Sequence, residues 1–104
     1  MSDKPKRYQK FLDKYPQAAE AYNQLNDAVH SSGPLDEKTR ALIKLAISTG
    51  AKMEGAVHSH ARKALKVGCT PEEITHTVMM ALPTLGLPST MAAWSWVDDV
   101  LELK

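Results

Sequence analysis

A chain of 104 residues with 13 basic and 12 acidic side chains is long enough for one domain and carries a formal net charge of only +1. That balance excludes the one-signed field of a nucleic-acid binder, so no nucleic-acid partner is expected. The longest apolar runs fall far short of the roughly 18–20 residues a bilayer span requires, so no membrane partner is expected either. Residues 1–15 lack the apolar stretch of a secretory leader, and the single cysteine, Cys69, cannot close an internal disulfide. Together these point to a cytoplasmic protein.

Helix signals recur along the whole chain, and alternating strand patterns are absent. A short helix is predicted over Tyr8–Lys14, within an N-terminal extension of residues 1–15. Pro16 suits the first turn of the next helix, where its missing N–H costs nothing. There Ala18, Tyr22, Leu25 and Val29 recur at helical spacing. Ser31-Ser32-Gly33-Pro34 is a break. Asp36 then caps a third helix with Leu42, Ile43, Leu45, Ala46 and Ile47 as its core face. Thr49-Gly50-Ala51 should end it with a left-handed glycine.

A fourth helix is predicted over Lys52–Val67, closed by Gly68. Thr70-Pro71-Glu72-Glu73 carries a complete N-terminal signature: Thr70 as cap, Pro71 as first residue, Glu73 closing a capping box. The fifth helix buries Ile74, Val78, Ala81, Leu82 and Leu85, with Pro83 as a kink or stop. Pro88-Ser89-Thr90 opens a last helix reaching about Leu103. Met91, Trp94, Trp96, Val97, Val100 and Leu101 make that helix apolar nearly all round, which predicts burial on more than one side. The fold expected is all-α, about six helices in a single domain spanning residues 1–104. With 43% apolar residues in so small a body, a homo-oligomer is expected.

The fourth helix holds most of the residues that could do chemistry. At about 100° per residue, Met53, Ala56, Val57, His60, Ala61 and Ala64 share one face. Glu54, His58 and Arg62 form a ladder on its flank. An imidazole in an apolar stripe needs partners for its nitrogens, and burial keeps the ring neutral and able to accept a proton. His58 and His60 point about 200° apart on a regular helix, so they cannot share one ion as a His-x-x-x-His pair can. No metal and no cofactor are therefore expected. Cys69, just before the Thr70 cap, lies near the positive end of a helix, which can lower a thiol pKa. His76 shares a face with Met79, Met80 and Pro83, more in keeping with a subunit contact than a pocket. Trp94 and Trp96 read as core or interface anchors.

The segment Leu35-Asp36-Glu37-Lys38-Thr39-Arg40-Ala41-Leu42-Ile43-Lys44-Leu45-Ala46 resembles the opening of the carboxymuconolactone decarboxylase family. The stretch from His60 through Gly68, the Thr70-Pro71-Glu72-Glu73-Ile74 signature and the late Gly86-Leu87-Pro88 extend the likeness. It runs from about Pro16 to Leu101, nearly the whole chain. The family includes alkylhydroperoxidase-D-like proteins, and the resemblance implies an all-helical fold assembled as trimers or hexamers. Its peroxidase branch uses a glutamate, a Cys-x-x-Cys pair and a histidine. By the resemblance the histidine falls on His60, the cysteines on Met53 and Ala56, and the glutamate on Ala41. Thioether and methyl groups supply no thiolate, so a dithiol peroxidase is not expected. The site implied is a small-molecule pocket around His60, with Glu54 or His58 brought in across a subunit interface, binding a small carboxylate or lactone in a decarboxylase-like lyase reaction. The competing readings are a catalytically silent oligomeric binding or scaffold domain and, behind it, a peroxidase acting through Cys69.

Overall fold

The computed structural model describes residues 6–102, and every regular element among them is helical. Seven segments follow in chain order: α1 (Lys6–Lys14), α2 (Pro16–His30), α3 (Glu37–Gly50), α4 (Glu54–Lys66), α5 (Pro71–Met79), α6 (Leu82–Leu85) and α7 (Leu87–Leu101). They fall into two compact units divided between Pro34 and Leu35. The expected fifth helix is the one that differs. It ends at Met79, and Pro83 lies inside a separate single turn, α6, because a proline cannot donate the backbone bond that would continue α5.

In the first unit α1 packs on α2. Tyr8, Phe11 and Tyr15 form a tilted ring series with centroids 6.2 and 6.5 Å apart, and the Tyr8 hydroxyl donates to Asn23 Oδ1 at 3.3 Å. Pro16 occupies the first turn of α2. The stripe of Tyr22, Leu25 and Val29 is present but lies exposed, while Ala19 is buried.

In the second unit α4 packs against α3 and α7, and α5 packs against the same two helices. Leu45, Val57, Ala61, Ala64, Ile74, Val78, Ala93 and Val97 are completely buried at the centre. Ala61 and Ala64 present short side chains there, which lets neighbouring backbones approach α4 closely. Asp36 caps α3 by accepting the Thr39 N–H at 2.8 Å. The capping box is complete: Thr70 Oγ1 accepts from Glu73 N at 3.0 Å, and Thr70 N donates to Glu73 Oε1 at 2.8 Å.

Three local expectations change. On α3 the buried stripe is Leu45 with Ser48 and Thr49, whereas Ile43, Ala46 and Ile47 are exposed. The apolar band on α3 is wider than one stripe, and docking on α4 and α5 selects one edge of it. The turn after α3 is made by Lys52 at φ 60°, not by a left-handed Gly50, which stays helical. On α7 a single stripe of Thr90, Ala93, Val97 and Val100 is buried, and Leu87, Met91 and Trp94 face outward. Gly68 and Gly86 take φ values of 100° and 98°, which L side chains rarely adopt. Among the described residues no helix is long and apolar enough to cross a membrane.

Candidate functional site

Helix α4 has two chemically distinct flanks. Its first residue is Glu54, so Met53 is the cap rather than a member of the helix. Met53 is 56% exposed and does not share the inner face with His60 as expected. Once the chain leaves Lys52 in a left-handed conformation, Met53 has extended geometry (φ −106°, ψ 98°) and lies off the helical periodicity. Ala56 and His60 are both half-buried, and Val57 is wholly buried.

His60 lies on the flank toward α3. Burial, together with the positive charges of Lys63 on α4 and Lys44 on α3, pushes its pKa from 6.5 down to about 4. The ring is therefore neutral near pH 7. Lys44 has its own pKa lowered by burial and by the charges of Lys63 and Arg40. Arg40 stands one turn before Lys44. Its Nη1 donates to the Leu35 carbonyl at 2.7 Å, while its Nε is buried without a hydrogen-bond partner among the described residues. The hydroxyl of Thr49, further along α3, is buried in the same condition. Arg40, Lys44 and Lys63 thus place like charges along one edge of α3 and α4, beside the neutral His60. Such an array favours an anionic guest. Of its members the sequence pointed only to His60. Lys63, three residues along the same helix, was legible by spacing, whereas Lys44 and Arg40 arrive from another helix.

Glu54 and His58 occupy the other flank, toward α7. His58 Nε2–H donates to Asp99 Oδ2 at 3.0 Å, with the histidine side chain 25% and the aspartate 58% exposed. Glu54, one turn before His58, completes a group whose ligand atoms all lie within 4.8 Å of one another. The structure therefore joins Glu54 to His58 and adds Asp99, a residue the sequence did not single out, 41 positions from its partner.

Cys69 is buried, and its thiol donates weakly to the Lys38 carbonyl at 3.7 Å. Burial and the nearby Glu73 carboxylate raise its pKa, the reverse of the lowering expected from the cap. Burial is the main reason, and the cap's own acid adds to it: Glu73 places a negative charge where the helix dipole alone would favour a thiolate. His76, with Pro71, Glu72, Thr75 and Met79, lines an open depression of about 460 Å³ on α5. None of Glu54, His58 or His60 reaches it.

Comparison with known proteins agrees with this architecture. The carboxymuconolactone decarboxylase family pattern matches residues 16–99. Two uncharacterised proteins of Methanocaldococcus jannaschii are similar along most of their length. MJ0742 is 35% identical over 85% of this chain and 86% of its own. MJ1511 is 32% identical over 85% of this chain and 79% of its own. The crystal structure of apo-lpg0406, a carboxymuconolactone decarboxylase family protein from Legionella pneumophila, superposes with a TM-score of 0.79 at 29% identity, covering 92% of this chain and 86% of that one.

Proposed function

Because the chain belongs to the carboxymuconolactone decarboxylase family, we propose that it binds a small carboxylate or lactone at His60, with the imidazole carrying a proton to or from the ligand. The observation that carries this reading is the basic array of Arg40, Lys44 and Lys63 beside a neutral, half-buried ring. A carboxylate placed there relieves the repulsion among the cations and can pair with the half-buried Lys44, a charge-assisted contact contributing about 1 kcal/mol at such a partly exposed position. It also reverses the electrostatics at His60. An adjacent anion raises the imidazole pKa back toward neutrality, so the ligand itself loads the proton that general-acid chemistry needs. Loss of carbon dioxide leaves a carbanion or enolate, and a protonated His60 would quench it.

A dithiol peroxidase route has no basis in this chain, whose one cysteine has a raised pKa. Glu54 and His58 enter the reaction only if a neighbouring copy presents them. Self-association into a trimer or hexamer is part of the same proposal. It is supported by the exposed apolar side chains Leu25, Val29, Ile47, Leu87, Met91 and Trp94.

The test is a thermal-shift screen of small carboxylates and lactones, followed by assay of any binder for turnover. A binder should stabilise the wild type more at pH 6 than at pH 8, because binding takes up a proton at His60. Lys44→Met should weaken that response. His60→Gln should fold and bind but lose turnover. No stabilisation by any carboxylate, or unaltered turnover in a folded His60→Gln protein, would leave the silent scaffold as the better account.

A further inference from the structure

We infer that Glu54, His58 and Asp99 form a binding site for a divalent first-row transition ion of the zinc or cobalt type. The site is on the opposite flank of α4 from His60 within one chain and does not rest on a carboxylate binding at His60. One imidazole nitrogen and two carboxylate oxygens lie within 4.8 Å of one another. Ligands around a common ion at about 2.1 Å are at most about 4.2 Å apart, so the group closes with a sub-ångström adjustment. Glu54 and Asp99 are exposed and can make it by rotamer change alone.

Two of the ligands are fixed by helix geometry. Glu54 and His58 stand at i and i+4, the spacing that puts two donors over one another on a single face. The third comes from a different helix, and its contact with His58 Nε2 is already made, at 3.0 Å. An arriving ion inserts into that contact. The proton that Nε2 donates to Asp99 is released to solvent as the ion enters, the ring takes its single proton on Nδ1, and Nε2 presents its lone pair to the metal. Two carboxylates neutralise the two positive charges, which avoids leaving an uncompensated charge against α4 and α7. The donor set, one borderline nitrogen and two hard oxygens, suits zinc, cobalt or manganese. It is a poor match for magnesium, which takes oxygen ligands and retains its waters. Three protein ligands on an exposed surface also leave coordination positions for water, the arrangement of an open rather than a closed site.

The sequence hid this site because the two histidines of α4 are the conspicuous pair, and they diverge. The ion instead pairs His58 with carboxylates on either side of it.

The experiment is titration of the chelator-treated full-length protein with Co²⁺ and Zn²⁺, read by calorimetry and by the visible absorption of bound cobalt, with Mg²⁺ in parallel. Saturable uptake of one ion per chain is expected, with the His58 Nε2 resonance shifting in ¹⁵N spectra. Asp99→Asn keeps the side-chain shape while removing the charge, and it should weaken uptake about tenfold or more, as should Glu54→Gln and His58→Ala. Cys69→Ser, His60→Gln and His76→Ala should bind as the wild type does. Uptake that survives in His58→Ala and Asp99→Asn, or that follows Cys69, His60 or His76 instead, would overturn the assignment. So would the absence of saturable binding, or magnesium uptake equal to that of cobalt.

Discussion

Acidification should destabilise this protein through His60 in a defined window. The ring has a pKa of about 4 in the fold and, when the chain unfolds, returns to the ordinary 6.5. Above pH 6.5 both states hold the ring neutral, and it contributes no pH dependence. As pH falls below 6.5 the unfolded chain takes up a proton that the folded chain refuses, so stability declines until pH reaches about 4 and is flat beyond it. A ring wholly cut off from water would lose about 3 kcal/mol across that interval, at about 1.4 kcal/mol per tenfold change in proton affinity. His60 is only half-buried, and solvent screening reduces the expected loss to about 1–2 kcal/mol. In a chain of this size that corresponds to a fall in Tm of very roughly 4–16 °C. The assay is urea unfolding at a series of pH values from 7.5 to 4 for the wild type and His60→Gln, alongside an NMR titration of the imidazole. The variant should show the shallower pH dependence over the window. Asp36, whose pKa is lowered by the Thr39 N–H, adds its own acid destabilisation only near the low end of this series and does so equally in both proteins, so their difference reports His60. An imidazole that titrates at or above 6.5, or identical pH profiles for the two proteins, would refute the argument.

Three further outcomes are expected. Thr70→Ala removes one half of the capping box and should cost about 1 kcal/mol, read as a lower urea midpoint with an unchanged m-value; no change would mean that α5 is held by packing alone. Light scattering at micromolar concentration should give a mass several times 11.5 kDa, and a concentration-independent monomer would remove the cross-subunit role of Glu54 and His58. Cys69, buried with a raised pKa, should alkylate slowly, and Cys69→Ser should leave peroxide consumption unchanged; rapid Cys69-dependent peroxide turnover with a dithiol reductant would contradict this.

What the sequence revealed follows the range of the forces involved. The Asp36 and Thr70–Glu73 caps are made by side chains three residues from their partners, so spacing alone displays them. The family likeness likewise singled out His60 as a candidate. Packing choices were less visible. Ile43, Ala46 and Ile47 are as apolar as the residues buried on α3, and only the approach of α4 and α5 decides which edge goes inside. Met53 looked like part of the inner stripe until the left-handed Lys52 removed it from the helix. Asp99 is an ordinary acidic residue in a helix otherwise rich in apolar groups, and nothing local connects it to His58. The charge that depresses His60 is half legible, since Lys63 is a helical neighbour and Lys44 is not.

The turn between α3 and α4 also sets an order of assembly. Only residues 51–53 separate the two helices, so Lys44 meets His60 and Lys63 within one helical hairpin of about thirty consecutive residues. Closing so short a loop takes little chain entropy, and such contacts belong to the early, local part of folding. The meeting of His58 with Asp99 spans 41 residues and waits until α7 has docked. One flank of α4 therefore draws on local contacts alone, whereas the other is complete only in the finished second unit, where the ion proposed above would fasten the last helix in place.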